Sequence, residues 1–181
     1  MAKTNITRKL LYSVILLFFF SLASFVWVVK DRVQPVKKVH YHAGFIVVNN
    51  NKQVSFSGQK YMSIEPCVLD NGKNHEDSEE DLQREKAHLH DSVGDVVHVE
   101  REGAKWKDLF TNINYTLQYR EAEAYINGKK VSNFQDLPIK EYDSLVVFAG
   151  MNDDVNKFLS QAVTKKHIQE AESKSEDCGS E

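Results

Sequence analysis

Two His-X-His pairs dominate the chemistry that this sequence offers. His40 and His42 form the first pair, His88 and His90 form the second, and His98 lies in a third stretch rich in β-formers. Side chains alternate across a β-strand, so the two histidines of each pair project from one face as a bidentate imidazole platform. Neutral imidazole is a good ligand for zinc, copper, nickel and iron. The pattern therefore predicts a metal site built from these five histidines, with copper or zinc as the ion.

Whether His98 joins the two pairs depends on how its strand pairs with the second pair. If His90 lies opposite His98, their side chains share a face, whereas a shift of one residue puts Leu89 opposite and turns His98 away. A structural zinc site takes four ligands and a catalytic one takes three plus water, so both remain open. The nearest carboxylates, Asp91 and Glu100, are candidates for a ligand, for a group that orients a histidine, or for a base.

Three functions fit these residues. The first is a non-catalytic metal-binding module for copper or zinc, serving sequestration, delivery or sensing. The second is a structural or interaction module that presents a surface to an envelope protein, with the histidines hydrogen-bonded within a polar sheet face. The third is a zinc-dependent hydrolase with Asp91 or Glu100 as base, which ranks last because the chain has no His-Glu-X-X-His motif.

The N-terminus carries the features of a membrane anchor. Lys3, Arg8 and Lys9 precede an uncharged apolar run over residues 10–29. A helix needs about 20 such residues to cross the hydrocarbon core, and the cations favour a cytoplasmic N-terminus. We therefore predict a single-pass transmembrane signal anchor in the cell membrane. A cleaved signal peptide is the alternative, because Ser21-Leu22-Ala23 is an acceptable cleavage site.

Beyond the anchor, composition divides the chain further. Residues 1–9 form a basic cytoplasmic N-terminus, 30–38 a linker, 39–168 one extracytoplasmic domain and 169–181 a disordered acidic tail. The chain has 181 residues, 41% of them hydrophobic, and a formal charge of -3. A domain with its own core fits that length, and the charge argues against nucleic acid as a partner. Cys67 and Cys178 form no Cys-X-X-Cys redox motif, and whether they pair stays open.

Short patterns along the domain predict its strands and helices. They are a hairpin of 39–48 and 53–57 around Asn49-Asn50-Asn51, a second hairpin over 88–100, an amphipathic helix over 106–113, two strands around Asn127-Gly128, a buried strand over 145–149 and a last helix. Gly44 is interpreted as a break or bulge in the first strand. The last helix is expected to have Asn152 or Asp153 as its cap and an apolar stripe from Val155 to Val163.

The segment from Val96 to Gly150 carries a strand, the helix beginning at Trp106, the Ile126-Asn127-Gly128-Lys129 turn and a final apolar strand. This order resembles the β-grasp domains of the ubiquitin-like and sulfur-carrier superfamily. The resemblance implies an α+β fold, a β-grasp-like mixed sheet with one packed helix, followed here by a C-terminal helix. A sulfur carrier ends on a free Gly-Gly, whereas this chain runs on past Gly150, so carrier chemistry is not implied.

Four motifs lie between residues 39 and 150: His40-X-His42, Gln59-Lys60-Tyr61-Met62, His88-X-His90-Asp91 and Gly94-Asp95-Val96-Val97-His98-Val99. Together they resemble a family of membrane-anchored exported proteins of archaea and candidate-phylum bacteria. That family has no established activity. The resemblance therefore implies a location and a motif, and it does not imply a function.

Overall fold

The computed structural model describes residues 12, 37–63, 78–117 and 122–175. The predicted anchor over 10–29 lies outside the described residues apart from Tyr12, and so do Cys67, His75 and Cys178. Within the described part of the chain, no helix is both long enough and apolar enough to cross a membrane. The chain divides into two compact units, Met1–Val36 and Lys37–Glu181, and the elements below belong to the second.

A mixed sheet of six strands forms the centre of this unit, which is therefore α+β as predicted. The strands are β1 (Lys38–Asn49), β2 (Lys52–Gln53), β3 (Val96–Arg101), β4 (Glu123–Ile126), β5 (Lys129–Val131) and β6 (Ser144–Ala149). Their order is β2-β1-β6-β4-β5, and β3 also pairs with β1. β1 and β6 run parallel, whereas the other pairs of these described strands are antiparallel.

Helices cover both faces of the sheet. They are α1 (Glu79–Arg84), α2 (Trp106–Asn112), α3 (Val155–Leu159) and α4 (Lys165–Ser175). Alternate residues of β1, such as Phe45 and Val47, pack in one core with α2. The intervening residues Ile46 and Val48 pack in a second core with α3 and α4. This division follows from the two-residue period of a strand, and it places His40 and His42 on the side of the second core.

Both predicted asparagine turns are confirmed. Asn50 and Asn51 have φ of 50° and 61°, and they connect β1 to β2 with Val48 opposite Gln53. Asn127 and Gly128 have φ of 52° and 76° between β4 and β5. Two consecutive positive φ values define the type I′ turn, which asparagine and glycine tolerate best.

The predicted amphipathic helix is also confirmed as α2. Its apolar stripe is buried, with Trp106 and Leu109 at 0% exposure. The backbone N–H of Lys105 donates to Asp108 Oδ2 at 2.8 Å, which satisfies one donor ahead of the first turn. Complete burial of a large apolar side chain contributes about 1.5–3 kcal/mol, so this stripe fixes α2 on its face of the sheet.

The predicted last helix is wrong in its extent, because two helices replace it. α3 is capped by Asp154, whose side chain accepts from the backbone N–H of Lys157 at 3.1 Å. α4 starts after Thr164, whose hydroxyl accepts from the backbone N–H of His167 at 3.2 Å. The first helix thus ends at Leu159, and the second begins separately at Lys165.

The residues expected to cap that helix are instead bonded to the β1–β2 turn. The side chain of Asn152 accepts from the backbone N–H of Asn51 at 2.9 Å. The backbone N–H of Asp153 donates to the Asn51 side chain at 2.8 Å. These long-range bonds hold the residues after β6 against the start of β2, so the cap moves on to Asp154.

The tail was expected to lose structure from Gln169, but α4 continues to Ser175. Ile168 is fully buried and belongs to the second core, which anchors the helix on the sheet. The described part of the predicted acidic tail, residues 169–175, therefore belongs to a packed helix.

Gly44 is neither a break nor a bulge, contrary to expectation. It pairs regularly with Val96 on one side and Ser144 on the other, and the register shift in β1 falls between Lys38 and Tyr41. A Cβ atom at Gly44 would lie 2.4 Å from the Cβ of Val163. The glycine is therefore required for close approach of the segment that leads into α4.

We expect Gly44→Ala to lower the free energy of unfolding by about 1–3 kcal/mol, the usual range for overpacking a filled core. Urea unfolding followed by circular dichroism measures this. Gly58→Ala is the matched control, because a Cβ there meets nothing within 4 Å. Equal stability of the two variants would show that Val163 moves aside without loss.

Candidate metal centre

The pairing of three adjacent chain segments aligns three histidines side by side in a row across the sheet. His42 on β1 lies opposite His98 on β3. His88 lies opposite His98 on its other side, and the two exchange backbone hydrogen bonds of 3.0 and 2.9 Å. Residues directly opposite in a sheet share a face, so all three imidazoles project to the same side.

This register differs from the one considered in the sequence, which placed His90 opposite His98. The difference is two residues, and a shift of two keeps every side chain on its face. His40 and His90, each two residues from a member of the row, therefore join it. We call these five residues, His40, His42, His88, His90 and His98, the histidine cluster.

His98 is the centre of the histidine cluster. Its ring centroid lies 4.7 Å from those of His40 and His42, 4.9 Å from that of His88 and 4.8 Å from that of His90. The rings of His42 and His98 are stacked, with 7° between their planes. The two His-X-His pairs thus converge on one residue from a third stretch of chain.

Three members of the cluster bring their nitrogens together closely enough to share an ion. One ring nitrogen each from His40, His42 and His98 lie within 4.8 Å of one another. Nitrogens bound tetrahedrally to zinc at about 2.0–2.1 Å are separated by about 3.4 Å. Ring rotations that bring the nitrogens about 1.5 Å closer would therefore complete a coordination triangle.

Buried nitrogens in the cluster lack hydrogen-bond partners within the described part of the chain. They are Nδ1 and Nε2 of His42 and Nε2 of His98. His42 is only 2% exposed, so water does not compensate freely. An unsatisfied buried polar atom costs about 1–3 kcal/mol, and a bound metal ion would take up one lone pair from each ring.

The second pair is oriented from outside the cluster. Nδ1 of His88 lies 3.1 Å from the backbone carbonyl of Arg84, which fixes a proton on that nitrogen. Nδ1 of His90 is bonded to the carboxylate of Asp91. Both rings therefore keep Nε2 as the lone-pair nitrogen, the arrangement typical of metal-binding histidines.

Burial keeps His42, His88 and His98 in the neutral form that binds metals. Burial, and then repulsion from neighbouring histidines, lowers the pKa of His98 to about 2 and the pKa of His88 to about 4. Burial also lowers the pKa of His42, although the carboxylate of Glu172 opposes that effect. At neutral pH these three imidazoles consequently offer lone pairs with no proton to displace.

Carboxylates surround the cluster, and one was missed in the sequence. Glu100 Oε1 lies 4.0 Å from Nε2 of His98, and Asp91 contacts His90; both were predicted candidates. Glu172 on α4 was not, although its Oε1 lies 3.6 Å from Nδ1 of His42. Its position four residues after the buried Ile168 places it on the inner face of the helix.

Comparison with protein-family models, curated proteins and solved structures finds no match to this chain. The resemblances to the exported family and to β-grasp domains therefore stay predictions. The chemistry of the cluster follows from its geometry.

That geometry offers neutral nitrogen donors on a rigid sheet. His167 takes no part, since its Nε2 contacts Asp95 Oδ1 at 3.1 Å on the exposed side of α4. The cluster itself combines a row fixed by backbone hydrogen bonds with one exposed member, His40. The cluster therefore reaches solvent at His40, while His42 and His98 are held by the strands.

Proposed function

We propose that this protein binds a transition metal ion, copper or zinc, in the histidine cluster and serves in its sequestration, delivery or sensing. The observation that carries the proposal is that Nε2 of His42 and Nε2 of His98 are buried without a hydrogen-bond partner among the described residues, beside the exposed His40. A polar sheet face that used histidines only as structural residues would satisfy their nitrogens with hydrogen bonds. In this row, by contrast, two of the three histidines each have a buried Nε2 without such a bond.

We further propose His40, His42 and His98 as the first three ligands, because their nitrogens already lie within 4.8 Å of one another. His90 is the fourth, since its ring centroid lies 6.2 Å from that of His42 and 4.8 Å from that of His98. His88 lies at the border of the site, where its ring contacts that of His98 and its Nδ1 is held by the Arg84 carbonyl. An all-imidazole set suits Cu(II) and Zn(II), and Cu(II) binds more tightly in the general order of divalent ions.

The proposed setting is the outer side of the cell membrane. The apolar run over 10–29, flanked by cations, supports a single-pass anchor with the domain outside. We also propose a β-grasp relationship for the domain. The parallel pairing of β1 with β6 and the packing of α2 on one face of the sheet support that proposal.

We expect the domain of residues 37–181, purified without a histidine tag and loaded with Cu(II) or Zn(II), to retain about one ion per chain after desalting. Mass-spectrometric metal analysis measures this ratio. The His40→Ala/His88→Ala double variant, which removes one member of each pair, is expected to retain little. A wild-type domain that ignores both ions would refute the proposal.

The same experiment tests the interaction module, and an activity assay on the metal-loaded domain tests the hydrolase. A metal-free domain would favour an interaction module, with an envelope protein as partner and structural histidines. A bound zinc ion with Glu100 or Asp91 as base would favour a hydrolase, and that function requires turnover of ester or phosphoester substrates. The described surface exposes only Tyr12 and Met151 among large hydrophobic side chains, which gives the interaction module little apolar surface.

A further inference from the structure

We infer that Glu172 positions His42 for metal binding, so that the centre extends to the C-terminal helix α4. This inference rests on the proposed metal-binding function and adds a residue about 130 positions along the chain from its partner. Glu172 is a positioning residue, because it acts through His42 and not on the ion.

Each carboxylate oxygen of Glu172 faces a different partner, one the ring of His42 and the other the hydroxyl of Tyr142. Oε1 lies 3.6 Å from Nδ1 of His42, slightly beyond hydrogen-bond distance. Oε2 lies 3.5 Å from the hydroxyl of Tyr142, which donates to it. The backbone N–H of Tyr142 in turn donates to the carbonyl of His42 at 2.8 Å. Tyr142 therefore contacts the backbone of His42, and Glu172 contacts its ring.

The docking of α4 fixes where Glu172 can reach. Val163, just before the helix, packs on Gly44, two residues from His42 on the same face of β1. Ile168 is fully buried one turn before Glu172. The helix thus follows β1 toward the histidine cluster. Its inner face places a carboxylate at the boundary between the apolar residues of the second core and the imidazoles.

The inferred role of Glu172 matches the way in which the second His-X-His pair, His88 and His90, is held. His88 and His90 each have Nδ1 held from outside, by the Arg84 carbonyl and by the Asp91 carboxylate. His42 has Glu172 in the corresponding place. A proton held on Nδ1 by the carboxylate leaves Nε2 as the lone-pair nitrogen and makes it a stronger donor. Closing the 3.6 Å gap on metal binding would complete the same arrangement for the first pair.

The test compares Glu172→Ala and Glu172→Gln with Glu170→Ala in the full chain, solubilised in detergent. Glu170 lies on the same helix in a surface ion pair with Lys166 at 3.4 Å, so it controls for the loss of one helix charge. We expect Glu172→Ala to weaken zinc binding by about 10- to 100-fold in a chelator competition. Glu172→Gln, whose amide oxygen accepts the same hydrogen bond, should recover most of that loss.

A spectroscopic readout separates positioning from mere stability. The electron paramagnetic resonance spectrum of bound Cu(II) should change in Glu172→Ala and stay as in wild type in Glu170→Ala. Wild-type affinity and spectrum in Glu172→Ala would overturn the inference and leave the proposed function intact. Equal weakening in both alanine variants would also overturn it. A wild-type chain that binds neither Zn(II) nor Cu(II) would instead refute the proposed function itself.

Discussion

Replacing His98 with alanine is expected to lower the affinity for Cu(II) or Zn(II) by more than about 100-fold, beyond the range for residues that only orient ligands. The reason is its central place, since its ring lies within 4.9 Å of all four other rings of the histidine cluster. Removing it deletes one proposed ligand and the ring that contacts all four others. Chelator competition on the domain of residues 37–181 measures the change.

His167→Ala is the matched control for this prediction. It removes a histidine from the same chain, but one that contacts Asp95 outside the cluster, and it should bind metal as wild type does. Because His98 lies within the sheet, thermal unfolding of each variant must show that the fold persists. His40→Ala provides a second test at an exposed ligand. Retention of tight binding in both His98→Ala and His40→Ala would place the metal elsewhere.

The faces of the histidines could be predicted from the sequence, but their register could not. The two-residue period of a strand is a local property, and it places His40 with His42 and His88 with His90. Which residue lies opposite His98 depends on the turn between residues 90 and 96. In that turn Asp91 and Ser92 have positive φ values of 55° and 60°, and their residue types alone do not predict this conformation. The observed pairing with His88 keeps the shared face.

The contribution of α4 could not be predicted for a different reason. Its residues after Ile168 are mostly polar or charged, so composition favours a disordered tail. The helix is held instead by a few tertiary contacts, chiefly buried Ile168 and the approach of Val163 to Gly44. Such contacts join segments more than 100 residues apart. Only the folded sheet shows that Glu172 reaches His42.

The turns and α2, by contrast, follow from local chemistry. Asparagine and glycine tolerate the positive φ that two-residue hairpins need, and the spacing of Trp106, Leu109 and Phe110 marks one face of a helix. These turns and α2, whose determinants lie within a few residues, were predicted correctly, whereas the strand predicted over 53–57 is limited to Lys52–Gln53. Elements that depend on distant contacts, such as the cap at Asp154, were not predicted correctly.

Acid should destabilise the metal-free domain steeply below about pH 6.5, because buried histidines must stay neutral when it folds. In the unfolded chain a histidine has a pKa of about 6.5, whereas burial lowers the pKa of His88 to about 4 and that of His98 to about 2 in the fold. Between these values the unfolded chain binds protons that the folded chain does not. Stability is therefore full above about pH 6.5 and is lost as the pH falls.

Each of the two histidines should lower the free energy of unfolding by about 1.4 kcal/mol per pH unit once the pH is well below 6.5. For His88 the loss levels off as the pH falls through about 4, while for His98 it continues toward about 2. Urea unfolding of the metal-free domain between about pH 7.5 and pH 4.5 measures the slope. Metal must be removed first, since a bound ion would hold the imidazoles deprotonated and add its own pH dependence.

His88→Gln isolates the histidine contribution from that of the carboxylates, which also titrate in acid. Its amide can donate to the Arg84 carbonyl as His88 Nδ1 does, but it binds no proton. The slope between about pH 5.5 and pH 4.5 should therefore fall by about 1.2 kcal/mol per pH unit relative to wild type, since folded His88 begins to bind protons near pH 4. An identical slope in the two proteins would mean that His88 is protonated in the fold, and a protonated imidazole at that position would compete directly with a metal ion.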